Sequence, residues 1–140
     1  MTTRPAVDLG RTLPFSAVPF TRLLGLEREY STAGRSRFVL PPKPELQNMV
    51  RATHGGVVAT MLDVAMASAA VSHVDFAMTA VTLSMNCQFL RPALGRLAVE
   101  GELLSVDDGT ALCRACVFDH AGVLVAQAQG SFRYLPHQKE

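Results

Sequence analysis

The sequence predicts an α+β domain in which an antiparallel sheet wraps around one long buried helix. Three observations lead there. Residues 55–73 form a Pro-free run, rich in Ala, Met and Leu and apolar nearly all round; a helix of that kind has to be covered on most sides. Over residues 81–89, Val81, Leu83, Met85, Cys87 and Phe89 alternate with Thr82, Ser84, Asn86 and Gln88, the period of a strand with one buried face. Two turn signals, Asp107-Asp108-Gly109 and Asp119-His120-Ala121-Gly122, then recur at the spacing of consecutive hairpins.

In chain order, residues 1–14 read as an irregular arm and residues 15–140 as a single domain. Residues 15–24 space Phe15, Val18, Leu23 and Leu24 as in a short helix. Residues 25–40 are strand-like in two pieces, with Ser31-Thr32-Ala33-Gly34 as the turn between them and Pro41, Pro42 and Pro44 closing the second. A Pro-rich loop leads to the helix at 55–73. Four extended segments follow, near 77–90, 95–106, 110–119 and 122–135, and read as an antiparallel meander. There is no internal repeat, low-complexity segment or second domain.

Composition narrows the function classes. A chain of 140 residues that is 49% hydrophobic buries roughly 70% of the surface its unfolded form exposes, which excludes intrinsic disorder and needs no metal. Thirteen basic against twelve acidic residues leave a net charge of +1, without the basic footprint that nucleic-acid binding requires. Three cysteines cannot all pair within one chain, and residues 1–20 contain no apolar stretch of signal-peptide length, so reduced thiols in a cytoplasmic protein are expected. The low-charge run 55–73 carries Asp63 and is at or below spanning length, so no membrane segment is expected. Cys113 and Cys116 have redox-motif spacing, but on a strand they face opposite sides. His73, His120 and His137 lack ligand spacing with the cysteines, and no metal site is predicted.

The segment Asn48-Met49-Val50-Arg51-Ala52-Thr53-His54-Gly55-Gly56 carries the strongest chemical signal. Gly55 and Gly56 stand where a loop becomes a helix, so unpaired backbone N–H groups and the positive end of the helix dipole form a ready carbonyl or oxyanion site. Glycine there also permits unusual backbone angles and close ligand approach. Asp63 is the only charged residue between His54 and Asp75. A buried carboxylate is costly unless partnered, and burial moves it toward a useful general base. Gly55 and Asp63 are eight positions apart, about 12 Å along a helix. If both act on one carbonyl, they must come from two copies of the helix running antiparallel across a two-fold axis.

These residues resemble hotdog-fold acyl-CoA thioesterases of the phenylacetate-degradation type. The resemblance rests on Asn48 six residues before His54-Gly55-Gly56, Asp63 nine residues after the His, and Thr82-Leu83-Ser84-Met85-Asn86 with Arg91-Pro92-Ala93. It covers roughly residues 15–134. It implies that the Gly55 N–H and the Asn48 side chain polarise a thioester carbonyl, and that Asp63 from a partner subunit acts as general base or nucleophile. Thr82 would help place the attacking water, and His54 would hold the site and the departing thiolate side. Gly56 and Arg91 are candidate substrate-binding residues. Members often carry Gly after the Asn, where this chain has Met49.

Several residues keep a structural alternative. His54 can simply cap the helix, the glycine pair can be a tight turn, Asn48 can be a turn residue, and strand propensity alone explains Thr82. The expected activity is hydrolysis of acyl-CoA thioesters by a homodimer, with a dimer of dimers open, and no cofactor beyond the coenzyme A of the substrate. A non-catalytic acyl-CoA-binding module and an acyl-CoA hydratase or dehydratase are the rival readings.

Overall fold

The computed structural model describes residues 12–137. Of the predicted arm, residues 1–11 lie outside the described residues, and 12–14 take no regular structure. A 3-10 turn, Phe15–Ala17, leads into a short helix α1, Pro19–Leu24, with Pro19 at its first turn. Strands β1 (Glu27–Thr32) and β2 (Arg35–Leu40) form a hairpin. Its turn is Ala33-Gly34, both at positive φ (50° and 82°), as a two-residue hairpin of this twist demands. Helix α2 spans Gly55–His73, followed by β3 (Met78–Phe89), β4 (Leu97–Asp107), β5 (Thr110–Phe118) and β6 (Leu124–Pro136).

The six strands form one antiparallel sheet in the order β1-β2-β4-β5-β6-β3. The expected four-strand meander therefore holds only for β4, β5 and β6. Strand β3 crosses to the far edge and pairs with β6, which frees β4 to pair with β2 and join the two halves of the sheet.

Helix α2 lies on one face of this sheet and touches all six strands. Val58, Met61, Leu62, Ala65, Met66, Ala69 and Ala70 are buried against a core that includes Phe38, Leu40, Leu97, Val117 and Phe132. This helix is apolar and long enough to span a bilayer by composition alone. The strands cover only one side of it: Val57, Ala59, Thr60, Asp63, Val64, Ala67, Ser68 and Val71 remain half-buried. Burial on most sides, expected from its composition, is thus not completed by a single chain.

The helix is also pinned by polar contacts. Ser36 Oγ donates to the Ala65 carbonyl at 2.6 Å, the Gly34 N–H to Ser72 Oγ at 3.0 Å, and Tyr134 Oη to the Ala70 carbonyl at 2.6 Å. The Ser31 and Ser68 hydroxyls meet at 2.5 Å. Gly101 on β4 sits so close to α2 that a Cβ there would stand 2.3 Å from the Ala65 oxygen.

Strand β3 departs from strict alternation. Thr82 pairs with Phe132 and Ser84 with Ser131, so Leu83 is an extra, bulged residue. The bulge reverses the phase of the strand. Met85, Cys87 and Phe89 pair with Gly130, Ala128 and Ala126, while Val81 pairs with exposed Arg133. Val81 therefore leaves the face it was expected to share with Met85, Cys87 and Phe89, and Thr82 moves from the supposed polar face to the helix side.

Candidate active site

The loop before α2 is built on Asn48. Its N–H donates to the Ala52 carbonyl at 2.8 Å, and its Oδ1 accepts from the N–H groups of Val50 (3.0 Å) and Ala52 (3.1 Å). Asn48 is therefore a turn residue, and among the described residues its side-chain Nδ2 has no partner. The turn throws Met49 outward to 98% exposure and holds Arg51 at φ 62°. Backbone bonds from Thr53 to the Ala93 carbonyl and from His54 to the Leu46 carbonyl, both 2.8 Å, tie the loop to its neighbours.

His54 caps α2. Its Nδ1 accepts from the Gly56 N–H at 2.9 Å, and its carbonyl accepts from Val57 and Val58. Acceptance at Nδ1 leaves the neutral ring's proton on Nε2. Three of the first four donors of the helix are thereby spent, and the Gly55 N–H is the one without a partner among the described residues. Neither Gly55 nor Gly56 has a positive φ, so unusual backbone angles are not the reason for glycine here. At Gly55 the relevant feature is space: a Cβ would point at the Phe89 ring, 3.7 Å from its Cε1.

Gly55 lines a cavity of about 190 Å³ together with Asn48, Val58, Phe89, Arg91 and Ala126. Arg91 is steadied by a 2.8 Å bond from Nη1 to the Leu124 carbonyl. Gly56 spends its N–H on the cap and does not line this cavity. The sequence reading missed Phe89 and Ala126 as lining residues. They are cross-strand partners on β3 and β6, a pairing that no local pattern discloses.

Asp63 lies two turns further along α2 and belongs to a different cluster. Thr82 Oγ1 donates to its Oδ1 at 2.5 Å, a bond that exists because the β3 bulge leaves Thr82 on the helix side. Cys87, one of the inward residues of β3, has its thiol pushed up by burial and by the Asp63 charge. Neither Asp63 nor Thr82 borders the Gly55 cavity. The candidate residues thus fall into two separate groups in one chain: Asn48, Gly55 and Arg91 line the cavity beside the His54 cap, and Asp63 and Thr82 are bonded to each other outside it.

Elsewhere, Cys113 faces the core and Cys116 the outer surface of the sheet, as their spacing on a strand requires. No cluster of three metal-ligating side chains occurs among the described residues. A wider hollow of about 430 Å³ lies over Arg35, Glu102 and Arg114 and contains none of the candidate groups. Those three residues are joined there by exposed ion pairs, which contribute little each.

Residues 52–131 match the sequence model described as the thioesterase superfamily. A conserved protein from Pseudomonas aeruginosa is similar in structure with a TM-score of 0.80 at 28% identity, over 84% of this chain and 94% of that one. A thioesterase family protein from Silicibacter pomeroyi gives a TM-score of 0.82 at 24% identity, covering 87% and 93%. The PaaI protein of the Escherichia coli phenylacetic acid degradation operon has the same fold, with a TM-score of 0.81 at 18% identity over 89% of each chain. No curated protein matches the chain in sequence.

Proposed function

Because the chain belongs to the thioesterase superfamily, whose reaction class is thioester hydrolysis, we propose that it hydrolyses acyl-CoA thioesters to a free acid and coenzyme A, in a site shared by two copies. The observation that carries this reading is that Gly55, whose N–H has no partner among the described residues, and Asn48, whose Nδ2 has none there either, line the same cavity. Two donors at the positive end of a helix suit the oxygen of a polarised carbonyl and the oxyanion that forms from it.

The carboxylate comes from the second copy. Gly55 and Asp63 of one helix are about 12 Å apart by the rise of an α-helix, too far to serve one carbon. Two antiparallel helices bring Gly55 of each beside Asp63 of the other. The half-buried apolar side of α2 and the unpaired edge strand β3, with Val81, Leu83 and Met85 exposed along it, support a second copy as the cover.

In this arrangement Asp63 takes a proton from a water that attacks the carbonyl carbon, or itself attacks to give an anhydride that water then opens. Collapse of the tetrahedral oxyanion breaks the C–S bond; in the first route the thiolate takes the proton that Asp63 accepted, and in the second it takes the proton released when water opens the anhydride. Thr82 holds one carboxylate oxygen and leaves the other for the reaction. His54 fixes the first turn so that Gly55 points into the cavity. Arg91, in the lining of the same cavity, is a substrate-binding residue. The chemistry needs no group beyond the substrate and water.

Mixing two inactive variants tests the shared site. Asn48→Asp keeps the Oδ acceptors that hold the loop and removes the Nδ2 donor; Asp63→Asn removes the base. Refolded together in equal amounts, they form heterodimers with one intact site of two, so thiol release from acyl-CoA should return to about a quarter of the wild-type value. A mixture no more active than its components would reject a site built across two copies.

A further inference from the structure

Resting on the thioester reading, we propose that the cavity beside the Gly55 N–H is the acyl pocket, with Phe89 as its specificity-determining wall, and that it takes one ring or a chain of about six carbons.

The cavity is closed at its floor. Val58, Ala93, Val125 and Ala126 line it and are at most 5% exposed, so a group entering past Gly55 ends against buried small side chains. A pantetheine arm carries two amides and must lead back out to a charged nucleotide. Such a chain needs polar partners along its length, whereas this floor offers Val and Ala. The apolar end of the substrate is the part that fits. At about 190 Å³ the space exceeds the roughly 150 Å³ of an apolar cavity that binds benzene, and it cannot hold a long alkyl chain.

Phe89 sets the limit on the open side. It is the last residue of β3, is 55% exposed, and its ring edge lies 3.7 Å from where a Gly55 Cβ would stand. Its cross-strand partner is Ala126, in the floor of the same cavity. The ring therefore stands between the donor that would hold the carbonyl and the solvent, beside the first carbons of the acyl group. Because it is largely exposed, it can be changed without emptying the core.

The test uses S-alkyl-coenzyme A thioethers from ethyl to dodecyl, with S-benzyl-coenzyme A as the single-ring case; these bind without being hydrolysed. Calorimetric affinity for the wild type should rise to a chain of about six carbons and then stop rising. Phe89→Ala should move that break to longer chains and Phe89→Trp to shorter ones. The preference between hexyl and decyl should change by about tenfold, the scale of one methylene accepted or refused by an apolar pocket. Affinity that climbs unbroken to dodecyl in the wild type, or a break that neither variant moves, overturns the assignment. Thiol release from the matching acyl-CoAs reports separately on the underlying reading. A Phe89-dependent break without release keeps the pocket and removes the hydrolase; no binding by any thioether removes the pocket, and the hydrolase then stands or falls on thiol release.

Discussion

Replacing Gly101 by Ala tests how closely α2 is held against the sheet. The added Cβ would stand 2.3 Å from the Ala65 oxygen, 2.6 Å from its carbonyl carbon and 2.6 Å from Ser36 Oγ. None of these is the end of a long flexible side chain, so relief requires moving backbone. Bringing the shortest contact from 2.3 Å to an ordinary 3.4 Å needs about 1.1 Å of displacement between α2 and β4. Overpacking of this kind costs about 1–3 kcal/mol. The Ser36 hydroxyl, 1% exposed and bonded to the Ala65 carbonyl, is disturbed as well, at about 1–2 kcal/mol if left unsatisfied. The sum, about 2–5 kcal/mol, lowers the melting temperature of a domain this size by roughly 7–17 °C. Calorimetry or urea denaturation measures it, with Ser36→Ala as the comparator, expected to lose about 1 kcal/mol because no atom is forced apart. Asp63 lies two residues before Ala65, so the same displacement should disturb the 2.5 Å Thr82 bond, and a 1 Å misplacement of a reacting group costs about 100-fold in rate. A Gly101→Ala protein melting within about 3 °C of the wild type would refute the close-approach argument.

Three further outcomes follow from the same geometry. Asp63→Asn should lower thiol release by about 100-fold to 10,000-fold while acyl-CoA affinity is kept, and undiminished turnover would remove Asp63 from the mechanism. Thr82→Val keeps the shape of the side chain but loses the hydroxyl bonded to Asp63; a loss of about tenfold in kcat with little change in KM is expected, the scale of one hydrogen bond to a charged group, and an equal rise in KM would point to binding instead. Burial pushes the Cys113 thiol from 9.0 to about 12. The folded chain then keeps a proton that the unfolded chain releases above 9, so this contribution to stability is complete below pH 9 and lost as pH rises toward 12. Relative to Cys113→Ala, denaturation at about pH 10.5 should show about 2 kcal/mol less stability than at pH 8; a difference independent of pH would mean that the thiol is not held in the core.

The elements legible in the sequence are those set by local rules. Residues 55–73 are helical end to end because nothing in the run breaks a helix, and Gly55 begins it because His54 caps it. The β1–β2 and β4–β5 turns follow from Ala33-Gly34 and Asp108-Gly109 at positive φ. The two errors are non-local. Sequence order suggested that β3 pairs with β4, whereas β3 closes the sheet against β6. The unbroken alternation over 81–89 gave no sign of the Leu83 bulge, because a bulge is defined by the partner strand and not by the strand that contains it. Thr82 suffered most. Its own pattern put it on a polar face, the resemblance gave it only a part in placing the attacking water, and the bond to Asp63 emerged from the fold.

In the proposed shared site, one rigid helix carries both the donor and the carboxylate. Gly55 and Asp63 ride on the same rod, so the distance between donor and carboxylate is set by helix geometry and is the same in both copies. That distance is useful only if the rod cannot slide, and most of the polar bonds on α2 serve this end. Ser31, Ser36, Gly34 and Tyr134 grip its second half through Ser68, Ala65, Ser72 and Ala70, while the His54 cap and the Thr53–Ala93 bond fix its start. Ser68 apart, the gripped residues Ala65, Ala70 and Ser72 are buried, so the half-buried stripe is left largely free of these contacts. A slide of either helix would move one donor half and one carboxylate half at once, so loss of rigidity at Gly101 or Ser36 should appear in both sites of a dimer together.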